Sequence, residues 1–324
     1  MLRGTWRDRT LGDILLKDWA EQVMETKATL KPKTRASYVS LLNSRINPEF
    51  GHRSVANIRT SDVRRWQAAL TAAALSASRR RQALLLLSQV MEAAVVDGRI
   101  LVNPCGPVTR PKLPAPVQDY LTADELDALA AAMKSEYRLL VYLLGYGGLR
   151  WGELAGLRRS SCDLLHGRLV ITEALAEVSG RLHWGDTKTH QQRSVSLPAF
   201  VVEMLESHLQ SVGADSDALV FTSPSGQPLR YSNFYRREWL PAVERAELGR
   251  RGTHIGRRTA ATLLLTQGAD VKDVQAQLGH KDATMTLNVY CAPFEGKRDE
   301  IAARLDRAWR RARKTKRKAG PGAS

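Results

Sequence analysis

The sequence predicts a mainly α-helical protein of two domains, the second of which also carries a small antiparallel β-sheet. Apolar residues recur at helical spacing over most of the chain, whereas residues 168–197 contain short β-type runs separated by turns. Five prolines crowd residues 104–116, as in a semi-rigid linker between domains. The 324 residues give each domain enough length to bury its own core.

The first domain, residues 11–105, is predicted as four helices joined by short loops, after a disordered lead-in at residues 1–10. The apolar stripes predict helices over residues 11–25, 34–46, 60–70 and from about 76 to 95. Thr60, Ser61 and Asp62 supply capping groups for the third helix. Asn47-Pro48 and Gly51 are expected to end the second helix, and Gly98 the fourth.

The second domain is predicted at residues 120–309, after the linker at residues 106–119 and before a basic, disordered tail at residues 310–324. Thr122 and Glu125 form a capping box ahead of its first helix. Further helices are predicted at residues 137–146, 149–154, 198–212, 231–245, 256–267, 271–278 and 295–313. Strands near residues 169–171, 182–184 and 195–197 are expected to form the small antiparallel sheet.

The net charge of +16 indicates a polyanionic partner, and nucleic acid is the expected one. Seven basic residues from Arg310 onward account for part of this excess, which leaves +9 on the rest of the chain. Arg79, Arg80 and Arg81 precede the Leu-rich part of the fourth helix, and we expect them to contact DNA phosphates. The alternatives are a solubilising excess of arginine and, for these three residues, a solvated helix face.

Several classes of protein are excluded by composition. The three cysteines are widely spaced and form no CxxC pair, which argues against a disulfide framework or a zinc site and suits a reducing cytoplasm. No apolar run is long enough for a signal peptide or a membrane span. We therefore expect a cytoplasmic protein that does not contact membranes.

One stretch, Thr253–Tyr290, gathers side chains suited to a phosphodiester. His254 and Arg257 stand three apart behind Thr253, which can cap a helix, so both are expected on one face of its first turn. A Leu-Gly-His step ends at His280, and Tyr290 follows ten residues later. The acidic residues form no cluster that would recruit a cation, so we expect chemistry without a metal or other cofactor. Such chemistry needs Arg, His and Lys around the phosphate and a hydroxyl nucleophile.

With these residues the sequence resembles the tyrosine recombinases, in particular phage-type integrases, over nearly its whole length. The element G-L-R-x-G-E-L is matched at residues 148–154, H-x-x-R at residues 254–257 and L-G-H at residues 278–280. The lysine of a β-turn corresponds to the second residue of T-K-T-H-Q-Q-R-S-V-S-L-P. The resemblance implies a helical core-binding domain and a mixed α+β catalytic domain. The matched catalytic positions are Arg150, Lys188, His254, Arg257, His280 and Tyr290.

The chain departs from the family pattern beside His254. The family usually has Asp-Leu after this histidine and His after the arginine, whereas this chain has Ile255, Gly256 and Arg258. Gly256 is expected to weaken the first turn of the helix by about 1 kcal/mol relative to alanine.

The resemblance implies covalent strand transfer that needs neither metal nor ATP. Arg150 and Arg257 would clamp the scissile phosphate, and both histidines would add hydrogen bonds and help to transfer protons. Tyr290 would attack and form a 3′-phosphotyrosyl link, while Lys188 would protonate the leaving 5′-hydroxyl. Glu153 would orient Arg150.

The resemblance also implies partners. These are double-stranded DNA with attachment-type sites, three further copies of the chain in a tetramer joined by the helix after Tyr290, and a directionality factor or DNA-bending host protein. Only about ten residues precede the first predicted helix, so the extra N-terminal DNA-binding domain of many integrases is expected to be absent or much reduced. The alternatives are a type IB topoisomerase-like enzyme, a catalytically idle DNA-binding protein of the same fold, and a helix-turn-helix regulator.

Overall fold

A computed structural model describes residues 9–114, 119–186, 192–280 and 306–307 of the chain. The structure is mainly helical with small antiparallel sheets, which confirms the predicted fold class. It divides into two compact units: the described parts of Met1–Ala115 with Leu175–Gly185, and of Pro116–Ala174 with Asp186–Ser324. The domain boundaries given above remain predictions. Within the described ranges, no helix is long and apolar enough to cross a membrane.

The first unit contains helices α1 (Leu16–Thr26), α2 (Pro32–Leu41), α3 (Asn47–Phe50), α4 (Thr60–Ala72) and α5 (Ala77–Val96), with short 3₁₀ turns at Arg9–Asp13 and Val55–Asn57. The first predicted helix was placed too early, at Leu11. Leu15 is extended and pairs with Ser54 in an isolated β-bridge, so the backbone becomes helical only at Leu16.

Proline does not end the second helix, contrary to the prediction from Asn47-Pro48. A π-helical turn at Leu42–Ile46 joins α2 to α3, and the N–H of Asn47 donates to the carbonyl of Leu42, five residues earlier. The wider turn places Pro48 in the first turn of α3, where its missing N–H leaves no hydrogen bond unmade.

The same arrangement recurs in the second unit at Pro241. A π-helical turn at Tyr235–Trp239 joins α10 (Tyr231–Phe234) to α11 (Leu240–Arg245), and the proline again falls in the first turn of the helix that follows. Both segments therefore remain helical on either side of the proline.

The core of the first unit is built on two tryptophans. The Nε1 of Trp19 donates to the carbonyl of Val90 at 2.9 Å, which fixes α1 on α5. Phe50 meets Trp66 edge-on with ring centroids 5.4 Å apart. The first turn of α4 is closed by buried Asp62, whose carboxylate accepts from the N–H of the preceding cap residue and from a neighbouring guanidinium. The helix thus starts at Thr60 as predicted, but its N-cap residue is Arg59, and of the three predicted capping residues it is Asp62 that accepts a hydrogen bond from the N–H of the cap.

The second unit contains α6 (Ala123–Ala132), α7 (Ser135–Gly145), α8 (Trp151–Ala155), β1 (Cys162–Asp163), β2 (Arg168–Ile171), β5 (Arg193–Ser196), α9 (Ala199–Ser211), α10, α11, α12 (His254–Thr266) and α13 (Val271–Leu278). β3 (Glu173–Val178) and β4 (Arg181–Asp186) form a separate two-stranded sheet, most of which, Leu175–Gly185, is grouped with the first unit. β2 lies between β1 and β5 in antiparallel register, with Leu169 opposite Val195. The predicted capping box of α6 is present, since Thr122 and Glu125 exchange hydrogen bonds of 2.8 and 3.1 Å.

α7 is the central helix of the second unit, and α6, α9 and α12 all pack against it. α12 approaches so closely that a Cβ on Gly256 would lie 2.7 Å from the Cβ of Leu144 and 2.9 Å from its carbonyl carbon. The departure from the family pattern at Gly256 therefore has a packing reason. The last predicted helix, residues 295–313, lies outside the described residues except for Asp306 and Arg307, which are helical.

Candidate active site

The site begins at the turn between α7 and α8. Gly148 has a φ of +65°, in the left-handed region that favours glycine, and it turns the chain into the extended residue Arg150. The backbone N–H of Arg150 donates to Glu153 Oε2 at 2.8 Å, and its Nη1 donates to Oε1 at 2.7 Å. One carboxylate thus caps the helix and holds the arginine side chain that precedes it.

Glu153 is also held by an arginine that the sequence analysis did not single out. Arg193, on β5, contacts both carboxylate oxygens, with Nη1 2.8 Å from Oε1 and Nη2 2.6 Å from Oε2. The side chains of Arg193 and Glu153 are 7% and 1% exposed, so this is a buried bidentate pair. Burial tends to raise the pKa of Glu153, but the hydrogen bonds and charge of Arg193, helped by Arg150, outweigh burial and lower it to about 2.

Arg257 lies in the first turn of α12 and is 4% exposed. Its Nη1 donates to the carbonyl of Gly148 at 2.7 Å, and its Nη2 donates to the carbonyl of Leu278. Burial and the nearby charge of Arg150 lower the pKa of Arg257 to about 9, which still leaves the guanidinium charged at neutral pH. The side chain therefore ties α12 to the turns beside Arg150 and at the end of α13.

The end of α13 completes the arrangement. Gly279 caps the helix in the left-handed conformation, at a φ of +63°. Its carbonyl accepts a hydrogen bond from Nη2 of Arg150 at 2.9 Å. The carbonyls of Leu278 and Gly279 thus each bind one of the two predicted phosphate-clamping arginines, and His280 follows directly in the chain.

The two histidines of the site lie in different environments. His280 is partly buried, and burial together with the charges of Arg257 and Arg150 lowers its pKa to about 4. Its ring is therefore neutral near pH 7, able to accept a hydrogen bond at one nitrogen and donate at the other. His254, the first residue of α12, is exposed, whereas Arg257 one turn later is buried.

The predicted cap at Thr253 is wrong. Its backbone is already helical, at φ −56° and ψ −22°, and its side chain makes no capping hydrogen bond. An N-cap residue needs an extended backbone for its hydroxyl to reach the N–H groups of the first turn. Thr253 is buried instead, at 5% exposure.

Comparison with known proteins decides which family such a site belongs to. The Phage integrase family matches residues 119–296, and the N-terminal SAM-like domain of phage integrases matches residues 15–71. The chain is 31% identical to the integrase of Mycobacterium phage FRAT1 over 285 residues, which covers 84% of this chain and 82% of the relative. The chain belongs to the phage integrase family.

The integrase fold extends over both units. The structure of the Tn1549 transposon integrase in complex with a circular intermediate DNA aligns with a TM-score of 0.77 at 18% identity, and covers 90% of this chain and 99% of that one. The lambda integrase of a tetramer bound to a Holliday junction aligns with a TM-score of 0.70 at 22% identity, over 87% of this chain and 79% of that one. The predicted class, a tyrosine recombinase that transfers DNA strands in site-specific recombination, is confirmed.

In this integrase the structure brings together four of the predicted site residues, Arg150, Glu153, Arg257 and His280. His254 contributes to the electrostatic field at His280. Lys188 and Tyr290 lie outside the described residues. Arg193 could have been suspected from strand alternation alone, because it lies two residues before fully buried Val195 on β5.

The predicted DNA-contacting arginines of the first unit lie at the start of α5. Arg80 is used within the fold, since its Nε donates to the carbonyl of Leu75 at 3.0 Å and its Nη1 contacts Thr71. The Nη1 of Arg79 reaches Gln82 at 3.4 Å. Arg79, Arg80 and Arg81 are all partly exposed, and their contact with DNA remains a prediction.

Proposed function

We propose that this integrase cuts and rejoins double-stranded DNA at attachment-type sites, with Tyr290 as nucleophile, and so integrates or excises a mobile element. The observation that carries the proposal is the double anchoring of Arg150 and Arg257 on the Gly279 and Leu278 carbonyls next to His280. Two guanidiniums fixed beside one neutral histidine suit a phosphate with negative charge on its non-bridging oxygens.

Strand transfer takes place in two steps, each of which forms one bond to phosphorus and breaks another. The Tyr290 oxygen attacks the scissile phosphorus, a 3′-phosphotyrosyl bond forms, and the bond from phosphorus to the 5′-oxygen breaks. Lys188 gives a proton to that leaving oxygen. The 5′-hydroxyl of a partner strand then attacks the phosphotyrosyl bond, which rejoins DNA and frees the tyrosine. Each step exchanges one phosphodiester for another, so neither ATP nor metal is required.

The arginines and histidines stabilise the charge that develops on the phosphate. Arg150 and Arg257 bind the non-bridging oxygens, and Glu153 orients Arg150 through its 2.7 Å ion pair. A phenol has an ordinary pKa of ~10, so the tyrosine needs nearby positive charge and a proton acceptor. A phosphate bound at Arg150 and Arg257 would offset the positive charges that lower the pKa of His280, so its neutral ring could then accept the proton, while exposed His254 adds a hydrogen bond to the phosphate.

We further propose that four protomers assemble on two DNA sites in the cytoplasm, with the helix after Tyr290 docked into a neighbouring protomer. The lambda integrase relative is described as a tetramer bound to a Holliday junction, which supports such an assembly. A directionality factor or DNA-bending host protein would select between integration and excision. Arg79, Arg80 and Arg81 would hold the phosphate backbone from the first unit.

A nicked suicide DNA that carries the attachment site tests the catalytic assignment. The wild-type protein should form a covalent adduct with this DNA, and Tyr290→Phe should form none. Tyr231→Phe is the matched control, because Tyr231 is a partly exposed tyrosine of α10 and should leave adduct formation intact. An adduct from Tyr290→Phe, or none from the wild type on a verified site, would overturn the assignment.

A second assay separates recombination from nicking and closing. Two duplexes of different length are incubated with the protein, and recombinant products are resolved by size. A recombinase exchanges strands between the duplexes, whereas a topoisomerase-like enzyme only relaxes supercoils and reseals the strand it cut.

A further inference from the structure

Arg193 makes three hydrogen bonds that converge on the active site. Two of them go to Glu153, and the third runs from Nε to the backbone carbonyl of Gln277 at 3.1 Å. With its side chain 7% exposed, Arg193 has little access to a phosphate on DNA. Its contacts therefore act on other residues of the site.

The strand that carries Arg193 is fixed to α13 by a second set of bonds. The N–H of Ser196 donates to Gln277 Oε1 at 3.1 Å, and Gln277 Nε2 donates back to the Ser196 carbonyl at 2.8 Å. Both the backbone and the side chain of Gln277 are thus bound to β5. Because Gln277 lies in the last turn of α13, β5 holds the turn that leads into His280.

Gly279 brings the backbone of this turn into contact with the Arg193 stem. A Cβ at Gly279 would lie 2.8 Å from Arg193 Cδ and 3.2 Å from its Nε. The carbonyl of the same glycine accepts from Arg150. Arg193 is therefore connected to Arg150 by two routes, one through Glu153 and one through the end of α13.

We propose that Arg193 is a positioning residue of the strand-transfer reaction, which holds Glu153 behind Arg150 and the α13 turn before His280 in one arrangement. This inference rests on the proposed function, since it assumes that Arg150 and His280 act on the scissile phosphate. Residues that orient a primary catalytic group by hydrogen bonds commonly change activity by about 10–100-fold when they are replaced.

The charges around Glu153 supply a readout that a merely structural role would not produce. The carboxylate is faced by Arg150 at the start of α8, Arg193 on β5 and Arg257 on α12, and the two histidines lie in the same field. In Arg193→Gln, burial acts on Glu153 with less opposition, so its pKa rises. Protonated Glu153 no longer pairs with Arg150, and the reaction should then slow toward acid pH.

The test is the single-turnover rate of adduct formation on the suicide DNA, at saturating DNA and across pH. Arg193→Gln should lower the rate by about 10–100-fold at neutral pH, with little change in DNA affinity. Its rate should fall further toward acid pH. The double variant Glu153→Gln with Arg193→Gln should be slow without that acid fall, and Arg193→Lys should restore part of the rate.

Arg158→Gln is the matched control. Arg158 also forms an ion pair with a glutamate of the same unit, Glu173, but neither residue is among the predicted catalytic residues. It should leave the rate and its pH profile unchanged. If the rate and pH profile of Arg193→Gln match those of the wild type, Arg193 has no positioning role. The same holds if the loss of rate is no larger than the fraction of the variant that is unfolded. If the wild type itself forms no adduct, the proposed function fails, which is a different result.

Discussion

Arg257 donates a hydrogen bond to the carbonyl oxygen of Leu278, two residues before His280 in the chain. Its other terminal nitrogen binds the carbonyl of Gly148, two residues before Arg150, at 2.7 Å. One guanidinium thus fixes the backbone beside both Arg150 and His280. The fork shape of the side chain matters here as much as its charge.

Arg257→Lys should therefore damage both catalysis and stability. A lysine has one nitrogen and cannot span both carbonyls, so one buried acceptor loses its partner. We expect adduct formation to fall by at least about 100-fold, and the free energy of unfolding to fall by about 1–3 kcal/mol. The suicide-DNA assay and urea unfolding measure these two effects. Arg258→Lys, one residue later, is the control, and equal effects from both substitutions would contradict the prediction.

Gly256→Ala should destabilise the second unit although alanine is the better helix former. The substitution improves helix propensity by about 1 kcal/mol, but the new Cβ would lie within 3.0 Å of three atoms of Leu144, two of them backbone. Moving α12 away from α7 should cost more, roughly 1–3 kcal/mol of the free energy of unfolding. Gly252→Ala, where no atom lies within 4 Å of the new Cβ, should leave thermal unfolding nearly unchanged. An unchanged Tm for Gly256→Ala would refute the packing argument.

The pKa of His280 should be measurable near 4 by NMR titration of its ring protons. Arg150→Gln removes one of the positive charges that disfavour protonation, so it should raise this pKa toward the ordinary value of ~6.5. Tyr231→Phe, which changes no charge at neutral pH, should not. A His280 pKa that stays the same in Arg150→Gln would show that burial alone lowers it.

The lowered pKa of His280 also makes the free energy of unfolding depend on pH. Between about pH 6.5 and pH 4 the unfolded chain binds a proton at this position and the folded chain does not, so stability falls as the pH falls through this window. His280→Gln should remove that part of the acid sensitivity. Urea unfolding at pH 7 and pH 5 gives the comparison, and an identical loss in wild type and variant would exclude the effect.

Asp62→Asn should destabilise the first unit by about 2–3 kcal/mol. The 6% exposed carboxylate binds Arg53 at 2.7 Å and caps α4 through the N–H of Arg59, and the hydrogen bond from Arg53 is the main cause of its lowered pKa. Asp97→Asn removes an exposed partner of Arg99 and should cost only about 0–1 kcal/mol. Chemical denaturation measures the free energy of unfolding of both variants. Comparable losses would contradict the prediction that the buried aspartate contributes more to stability than the exposed one.

The sequence predicted the helices well because apolar spacing and capping residues act locally. The family resemblance also indicated that Glu153 acts on Arg150, and the two side chains form an ion pair of 2.7 Å. Strand alternation places Arg193 on the inward face of β5, but Arg193 was missed because the sequence does not show that a buried carboxylate lies opposite it. The continuation of the second helix through Pro48 was not predicted, because the spacing of apolar residues does not reveal a π-helical turn.

The described part of the site holds three guanidiniums, those of Arg150, Arg193 and Arg257, around the single carboxylate of Glu153. This cluster is electrostatically unfavourable when the protein is alone. Three positive charges lie close together, and the one carboxylate neutralises only one of them. Under the proposed function, an arriving phosphate would relieve the repulsion, so part of the stability of the second unit would be realised only on DNA. Folding and substrate binding would in this way be thermodynamically linked, and the enzyme should be most rigid where it is about to cut.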